Sequence, residues 1–192
     1  SFTGLPSGNY TFYVQDQGGC TVSLPVQIND LSTLSALVDS VTPTLCNGSS
    51  DGVITLLASG GTPPYSYILG SGIPQPSPIF NNLPAGNYSF TVVDAQSCQV
   101  TLTAIVTEPS PLVITPISTA NSSCNLPNGS LEVSASGASA PYLYSIDNFA
   151  TNQISGLFSN ILAGTYAVQV QDQNGCQQTT SITVNADDAI TA

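Results

Sequence analysis

Lysine, arginine, histidine, methionine and tryptophan are all absent from this sequence of 192 residues. An average chain of that length carries roughly twenty or more Lys and Arg. Without His there is no Ser-His-Asp or Cys-His nucleophile system, and without Lys there is no Schiff base and no P-loop lysine. Without any side-chain cation there is no fork or point charge for phosphate, so neither a nucleic-acid partner nor a phosphate cofactor is expected. Long apolar runs are missing too: none approaches the ~18 residues that span a bilayer. What remains is acidic and turn-rich. Eleven Asp and Glu set a formal charge of -11, and 16 Gly and 14 Pro punctuate the chain. A hydrophobic fraction of 41% separates it from disordered acidic tails. The expectation is a non-enzymatic, cofactor-free β protein.

An internal period organises the chain. Phe2, Phe80 and Phe158 recur at a step of 78, as do Gly8, Gly86 and Gly164, Tyr10, Tyr88 and Tyr166, Asp16, Asp94 and Asp172, and Cys20, Cys98 and Cys176. Cys46 and Cys124 share the step, while Gly60 with Gly137 and Tyr65 with Tyr142 sit at 77. The period divides the chain into 1–30, the last strands of a truncated copy; 31–108 and 109–186, two complete copies; and 187–192, a linker or the start of another.

Each copy is written in strands. Tyr88-Ser89-Phe90-Thr91-Val92 alternates apolar and polar residues, and Tyr10–Val14 and Tyr166–Val170 keep the same parity, as half-buried antiparallel strands do. Leu131, Val133 and Ala135, with Ile54, Leu56 and Ala58 as counterparts, mark an earlier strand. Gly60-Gly61-Thr62-Pro63-Pro64 and Leu83-Pro84-Ala85-Gly86 are turns, and Asn174-Gly175 predicts a type I′ hairpin. Seven or so short strands per ~78 residues predict tandem Greek-key β-sandwiches of immunoglobulin type. Tyr10, Tyr88 and Tyr166, each following a Gly-containing turn, sit where such sandwiches place a corner tyrosine bonded back to the backbone.

Cys46-Asn47-Gly48-Ser49-Ser50-Asp51-Gly52, Gly60-Gly61-Thr62-Pro63-Pro64-Tyr65-Ser66-Tyr67, Leu83-Pro84-Ala85-Gly86-Asn87-Tyr88 and Asp94-Ala95-Gln96-Ser97-Cys98 together resemble the SprB-type repeat of giant cell-surface adhesins of gliding Bacteroidota. They are also similar to PKD-like immunoglobulin-type domains. The third copy departs at Gly137-Ala138-Ser139-Ala140-Pro141-Tyr142. The resemblance implies an all-β protein of tandem sandwiches, exported by type IX secretion as an outer-membrane-anchored or secreted filament that grips a substratum, in some species during gliding. Its partners would be neighbouring repeats, polysaccharide or substratum, and other copies in a bundle.

The five cysteines at 20, 46, 98, 124 and 176 lack zinc-site spacing, and disulfides suit an extracellular chain better. Two pairings are open. Within copies, Cys46 would join Cys98 and Cys124 would join Cys176, with Cys20 unpaired. In an immunoglobulin-type sandwich, however, Cys46 follows the first strand at one pole and Cys98 lies in the last hairpin at the other. Strands of ~8 residues would then hold them over ~20 Å apart, beyond the ~4.4–6.8 Å of bridged Cα atoms. A bridge between copies, Cys46 to Cys176, is therefore favoured.

Asp16, Asp94 and Asp172 suit Asx turns better than calcium, which takes six to eight oxygens. Asp187-Asp188, the one adjacent acidic pair, belongs to a linker rather than a catalytic dyad. Asn-x-Ser/Thr sequons at Asn9, Asn47, Asn87, Asn121 and Asn128 are expected by chance in this composition, and Asp39-Ser40-Val41 offers Ser40 for O-glycosylation. An all-acidic surface denies trypsin a cleavage site and keeps neighbouring filaments apart. The half-copy at 1–30 would expose the face of Tyr10, Phe12 and Val14, so a window on a longer array is expected, acting as stalk or spacer. A carbohydrate-binding module and an accessory domain of a secreted hydrolase are the rival functions.

Overall fold

A computed structural model describes residues 1–28 and 33–187. The expected boundary at Asp30, and all of segment 187–192 except Asp187, lie outside the described residues. Strand β1 (Gly8–Gln15) pairs antiparallel with β2 (Thr21–Ile28), matching Tyr10 with Val26, Phe12 with Leu24 and Val14 with Val22. The Phe2 ring lies 4.7 Å from that of Phe12, while Val14, Val22 and Leu24 are exposed.

Two sets of six strands follow. The first is β3 (Ser35–Thr42), β4 (Gly52–Ser59), β5 (Ser66–Leu69), β6 (Ile79–Leu83), β7 (Gly86–Val93) and β8 (Gln99–Val106). The second is β9 (Val113–Ala120), β10 (Gly129–Ser136), β11 (Leu143–Ser145), β12 (Leu157–Ile161), β13 (Gly164–Gln171) and β14 (Gln177–Val184). Corresponding strands start 77 or 78 residues apart. The sheets run β3-β4-β6 and β5-β7-β8, then β9-β10-β12 and β11-β13-β14. In each set the chain changes sheet three times, between its second and third, third and fourth, and fourth and fifth strands, which is the immunoglobulin-type Greek key.

Among the described residues each set holds six strands rather than the seven or so expected. The missing edge is a tied loop: Tyr67 exchanges backbone bonds of 2.8 and 2.9 Å with Gln75, and the Gln75 amide donates to the carbonyls of Ser77 and Ile79. Tyr144 and Gln153 repeat the arrangement, with Gln153 donating to Ser155 and Leu157. The backbone exchange keeps one rung of an edge ladder, and the glutamine amide satisfies two carbonyls of the loop that follows.

By contacts the chain divides into two compact units. One comprises Ser1–Asp39, Thr55–Ile79 and Tyr88–Thr103; the other comprises Ser40–Ile54, Phe80–Asn87 and Ala104–Ala192. The second unit contains the whole β9–β14 sandwich. Leu131 and Val133 of β10 meet Tyr144 of β11, Val168 and Val170 of β13, and Ile182 and Val184 of β14, so both sheets feed one core. The corresponding Ile54, Leu56, Tyr67, Phe90, Val92, Ala104 and Val106 are buried at the same strand positions. Period-two alternation delivers these residues to one face, as the strand geometry requires.

Candidate functional site

One carboxylate clamp is built three times, in the loops that bear Cys20, Cys98 and Cys176. After β13, the Asp172 carboxylate accepts the N–H groups of Asn174 (2.9 Å), Cys176 (2.8 Å) and Ser139 (3.1 Å), and the Asp172 N–H donates to the Cys176 carbonyl (2.9 Å). Asp94 accepts from Gln96 (2.9 Å), Cys98 (2.8 Å) and Thr62 (2.8 Å) in the same way. Asp16 accepts from Cys20 at 2.9 Å. The Thr62 N–H holds the Asp94 carboxyl below its ordinary value, and the Cys98 and Gln96 N–H groups add to that against the opposing cost of burial. These aspartates therefore act as Asx-type loop clamps. The two-residue type I′ turn expected at Asn174-Gly175 is not formed: Gly175 has φ +87° but Asn174 is not at positive φ. The carboxylate instead gathers a wider loop, because two N–H groups inside it point at Asp172.

The same clamp seizes the loop between the second and third strands of each set. Thr62 in one and Ser139 in the other donate to the carboxylate and accept back from Ala95 (2.8 Å) and Gln173 (3.0 Å). The Tyr65 hydroxyl closes its loop on the Gly60 carbonyl at 2.6 Å, and Tyr142 does so on Gly137 at 2.6 Å. The altered sequence at 137–142 thus keeps the geometry of Gly60-Gly61-Thr62-Pro63-Pro64-Tyr65. The corner tyrosines Tyr10 and Tyr166 donate to the carbonyls of Pro6 (2.7 Å) and Leu162 (2.8 Å), with Gly8 and Gly164 opening their strands. Gly86 opens β7 two residues before Tyr88.

Cys176 is bonded to Cys46, with Cα atoms 5.6 Å apart and a sequence separation of 130. The pairing of Cys46 with Cys98 and of Cys124 with Cys176 is not formed: Cys98, Cys124 and Cys20 are free and exposed. Cys46 lies in the turn after β3, and Cys176 in the clamped loop between β13 and β14.

Around the bridge the connecting segment is tied on both sides. The Glu108 carboxylate accepts the Gly48 N–H (2.7 Å), and the Pro109 carbonyl accepts the Asn47 amide (3.0 Å). Further along, the Ser110 carbonyl accepts the Ala138 N–H (2.9 Å), and Asn174 donates to the Leu45 carbonyl (3.4 Å) and the Ser139 hydroxyl (3.2 Å). Gly137 sits at φ +80°, where a Cβ would stand 2.0 Å from the Pro111 carbonyl, so only glycine admits the segment here. The Cys176 sulfur lies 3.5 Å from the Leu45 carbonyl, a packing contact because a bridged sulfur carries no proton. Clefts of about 170 and 400 Å³ flank the bridge. Such a junction can hold two segments together covalently and resist their separation. Among the described residues no group of three or more His, Cys, Asp or Glu is placed to hold a metal, and no helix is long and apolar enough to cross a membrane.

Two features escaped the sequence. The Gln75 and Gln153 caps are a pair at step 78 that the repeat comparison could have found. Asp147 could not be found that way, since Leu69 or Gly70 stands near its place in the other copy. Its carboxylate accepts the N–H (3.0 Å) and hydroxyl (2.6 Å) of Thr151 and the Ser145 hydroxyl (2.7 Å), which together hold it down to about 2. Asp147 borders a cleft of about 560 Å³ with Gln153, Phe158 and Tyr166. Ser40 is exposed on β3.

No curated protein sequence matches the chain. Among solved structures it is similar to extracellular domains 3–5 of Drosophila OTK (14% identity, TM-score 0.36, covering 95% of this chain and 72% of that one). It is similar as well to a C-terminal fragment of intimin solved with the intimin-binding domain of its translocated receptor (16%, TM-score 0.41, 82% and 64%). A third is the fibronectin(III)-like modules of Clostridium thermocellum CbhA (12%, TM-score 0.32, 79% and 95%). The model of the SprB repeat family matches two stretches of the chain, residues 38–72 and 117–151, which each take in a cysteine-bearing turn and a tyrosine-closed loop.

Proposed function

We propose that this chain is a non-catalytic repeat segment of a long extracellular adhesin, in which copies 31–108 and 109–186 serve as stalk or spacer units for surface adhesion and gliding. The observation that carries the reading is the Cys46–Cys176 bridge between successive copies. A bond at that position lies outside both cores and ties one copy covalently to the next. A disulfide at a polar junction also belongs to an oxidising compartment outside the cytoplasm. Export through type IX secretion and attachment at the outer membrane follow from the family resemblance. The composition supports the absence of catalysis, since neither a histidine base nor a cationic side chain exists.

Electron microscopy of the intact parent at the cell surface tests this. The expected result is a thin filament beaded at roughly 35–45 Å, the length of ~8-residue strands plus loops. A compact particle would refute the stalk and favour an accessory role beside a hydrolase. A second reading, carbohydrate binding, is favoured by the cleft beside Asp147, whose Phe158 and Tyr166 rings suit a neutral sugar. Binding of this chain on a glycan array, lost in Tyr166→Ala, would support it.

A further inference from the structure

The Cys46–Cys176 bridge has a turn half and a loop half, and the structure contains further copies of each half. The loop half is built three times. In all three, an aspartate four residues earlier accepts the cysteine N–H at 2.8–2.9 Å and donates its own N–H to the cysteine carbonyl at 2.9–3.0 Å. Cys176 is bridged from this setting, whereas Cys20 and Cys98 stand exposed in it with free thiols. The turn half is built twice. Thr44, buried, donates its N–H to the Thr107 carbonyl (3.0 Å), and the next residue, Leu45, donates to Asp51 (3.2 Å). Ser122, also buried, donates to the Asn185 carbonyl (2.9 Å), and Ser123 donates to Asn128 (2.8 Å). Cys46 and Cys124 follow directly. The turns differ in that Cys124 and Asn125 are at positive φ (55° and 57°).

We propose that Cys124 is the turn half, and Cys98 and Cys20 are loop halves, of the same junction, each taking the complementary cysteine of another SprB-type repeat. Within one chain the register is 130 residues. Bridges at that offset, repeated every 78, close overlapping loops, so each stretch of backbone between bridges is spanned by a second covalent path. One cut or one unfolded repeat then leaves the array joined. This rests on the extracellular, oxidising setting proposed above.

The chemistry is thiol–disulfide exchange with a small disulfide such as oxidised glutathione. The Cys124 thiolate displaces one glutathione thiolate to give a mixed disulfide. The Cys98 or Cys20 thiolate then attacks the Cys124 sulfur and displaces the second. Two protein thiols and one oxidised glutathione thus become one protein disulfide and two glutathione thiols.

Two copies of this chain provide the test. Purified chain is incubated with oxidised glutathione, resolved without reductant, and mapped by peptic peptides at low pH. Turn-to-loop pairing is heterologous, so the expected product is an open ladder of dimers, trimers and higher species rather than dimers alone. Every intermolecular link should contain Cys124 joined to Cys98 or Cys20, and Cys124→Ser should return the ladder to monomer. Links of Cys124 to Cys124 or Cys98 to Cys98, a ladder that survives Cys124→Ser, or no ladder at all would overturn the proposal. The intramolecular Cys46–Cys176 peptide in the same digest separates the two readings. If it is present without a ladder, only this inference falls. If it is absent too, the junction reading falls with it.

Discussion

The Asp172 carboxylate takes the Cys176 N–H at 2.8 Å while the Cys176 carbonyl takes the Asp172 N–H at 2.9 Å, so one aspartate fixes the backbone of the bridged cysteine from both sides. Cys98 with Asp94, and Cys20 with Asp16, share that arrangement without a bridge. The clamp is therefore a property of the loop and does not require the disulfide.

Removing the clamp should cost stability and slow oxidation together. Asp172→Ala strands three N–H donors, one of them the Ser139 donor of the neighbouring loop, at a site only 5% exposed. The expected loss is about 1–3 kcal/mol, read from the urea midpoint. Formation of the Cys46–Cys176 bridge from reduced protein should slow in parallel, and Asp172→Asn, which keeps an acceptor oxygen, should fall between. An unchanged oxidation rate in Asp172→Ala would show that the loop is placed by other contacts.

The bridge should hide length from an applied force. Pulled from its ends, the chain transmits tension through the sulfurs and shields the residues within the 130-residue separation. Reduction should add about 450 Å of contour length in single-molecule stretching, at ~3.3–3.6 Å per residue. The same reduction should lower the unfolding free energy of the β9–β14 sandwich by roughly 2–5 kcal/mol. Equal extension before and after reduction would refute a load-carrying bridge.

Close packing at the start of β10 makes Gly129 intolerant of a side chain. A Cβ there would stand 2.9 Å from a Val184 methyl and 3.0 Å from the Ile161 carbonyl, and Gly52 is hemmed in alike by Val106 and the Leu83 carbonyl. Gly129→Val should destabilise by about 1–3 kcal/mol through overpacking, measured by thermal or urea unfolding. Gly48→Ala, with open space around it, lacks that clash and isolates the cost of its φ of +76°.

Acid should weaken the fold in a defined window. Asp147 ionises at about 2 when folded against 3.8 ordinarily, so the unfolded chain takes up its proton first as pH falls. The contribution is whole above 3.8 and is lost as pH drops toward 2. Asp94, held down chiefly by the Thr62 N–H, and Asp51, held down chiefly by the Ser49 hydroxyl, act in the same direction. Circular dichroism from pH 5 to 2 at fixed urea should show falling stability, with a shallower slope in Asp147→Asn, where one titrating group is gone. An identical slope would refute the Asp147 part.

Much of this protein is written locally. The step of 78, the alternation that buries Phe90 and Val92 or Val168 and Val170, and the corner position of Tyr10 and Tyr166 all depend on short-range chemistry, period-two side-chain direction and glycine turns, and a sequence displays these directly. So does the exclusion of cation-dependent chemistry, since composition needs no fold. The tertiary structure alone decided that Gln75 and Gln153 would tie the loops beside Tyr67 and Tyr144, and that 137–142 would copy 60–65 despite their different residues. It also decided that Asp94 and Asp172 would each grip a loop more than thirty residues away. The pairing of Cys46 with Cys176 is favoured by strand length and pole placement, and the structure settles it over the alternative within copies, with 130 residues between the two cysteines. The step of 78 marks which residues recur, but not which distant loop each one grips, because partners are set by how strands are ordered in sheets rather than by spacing along the chain.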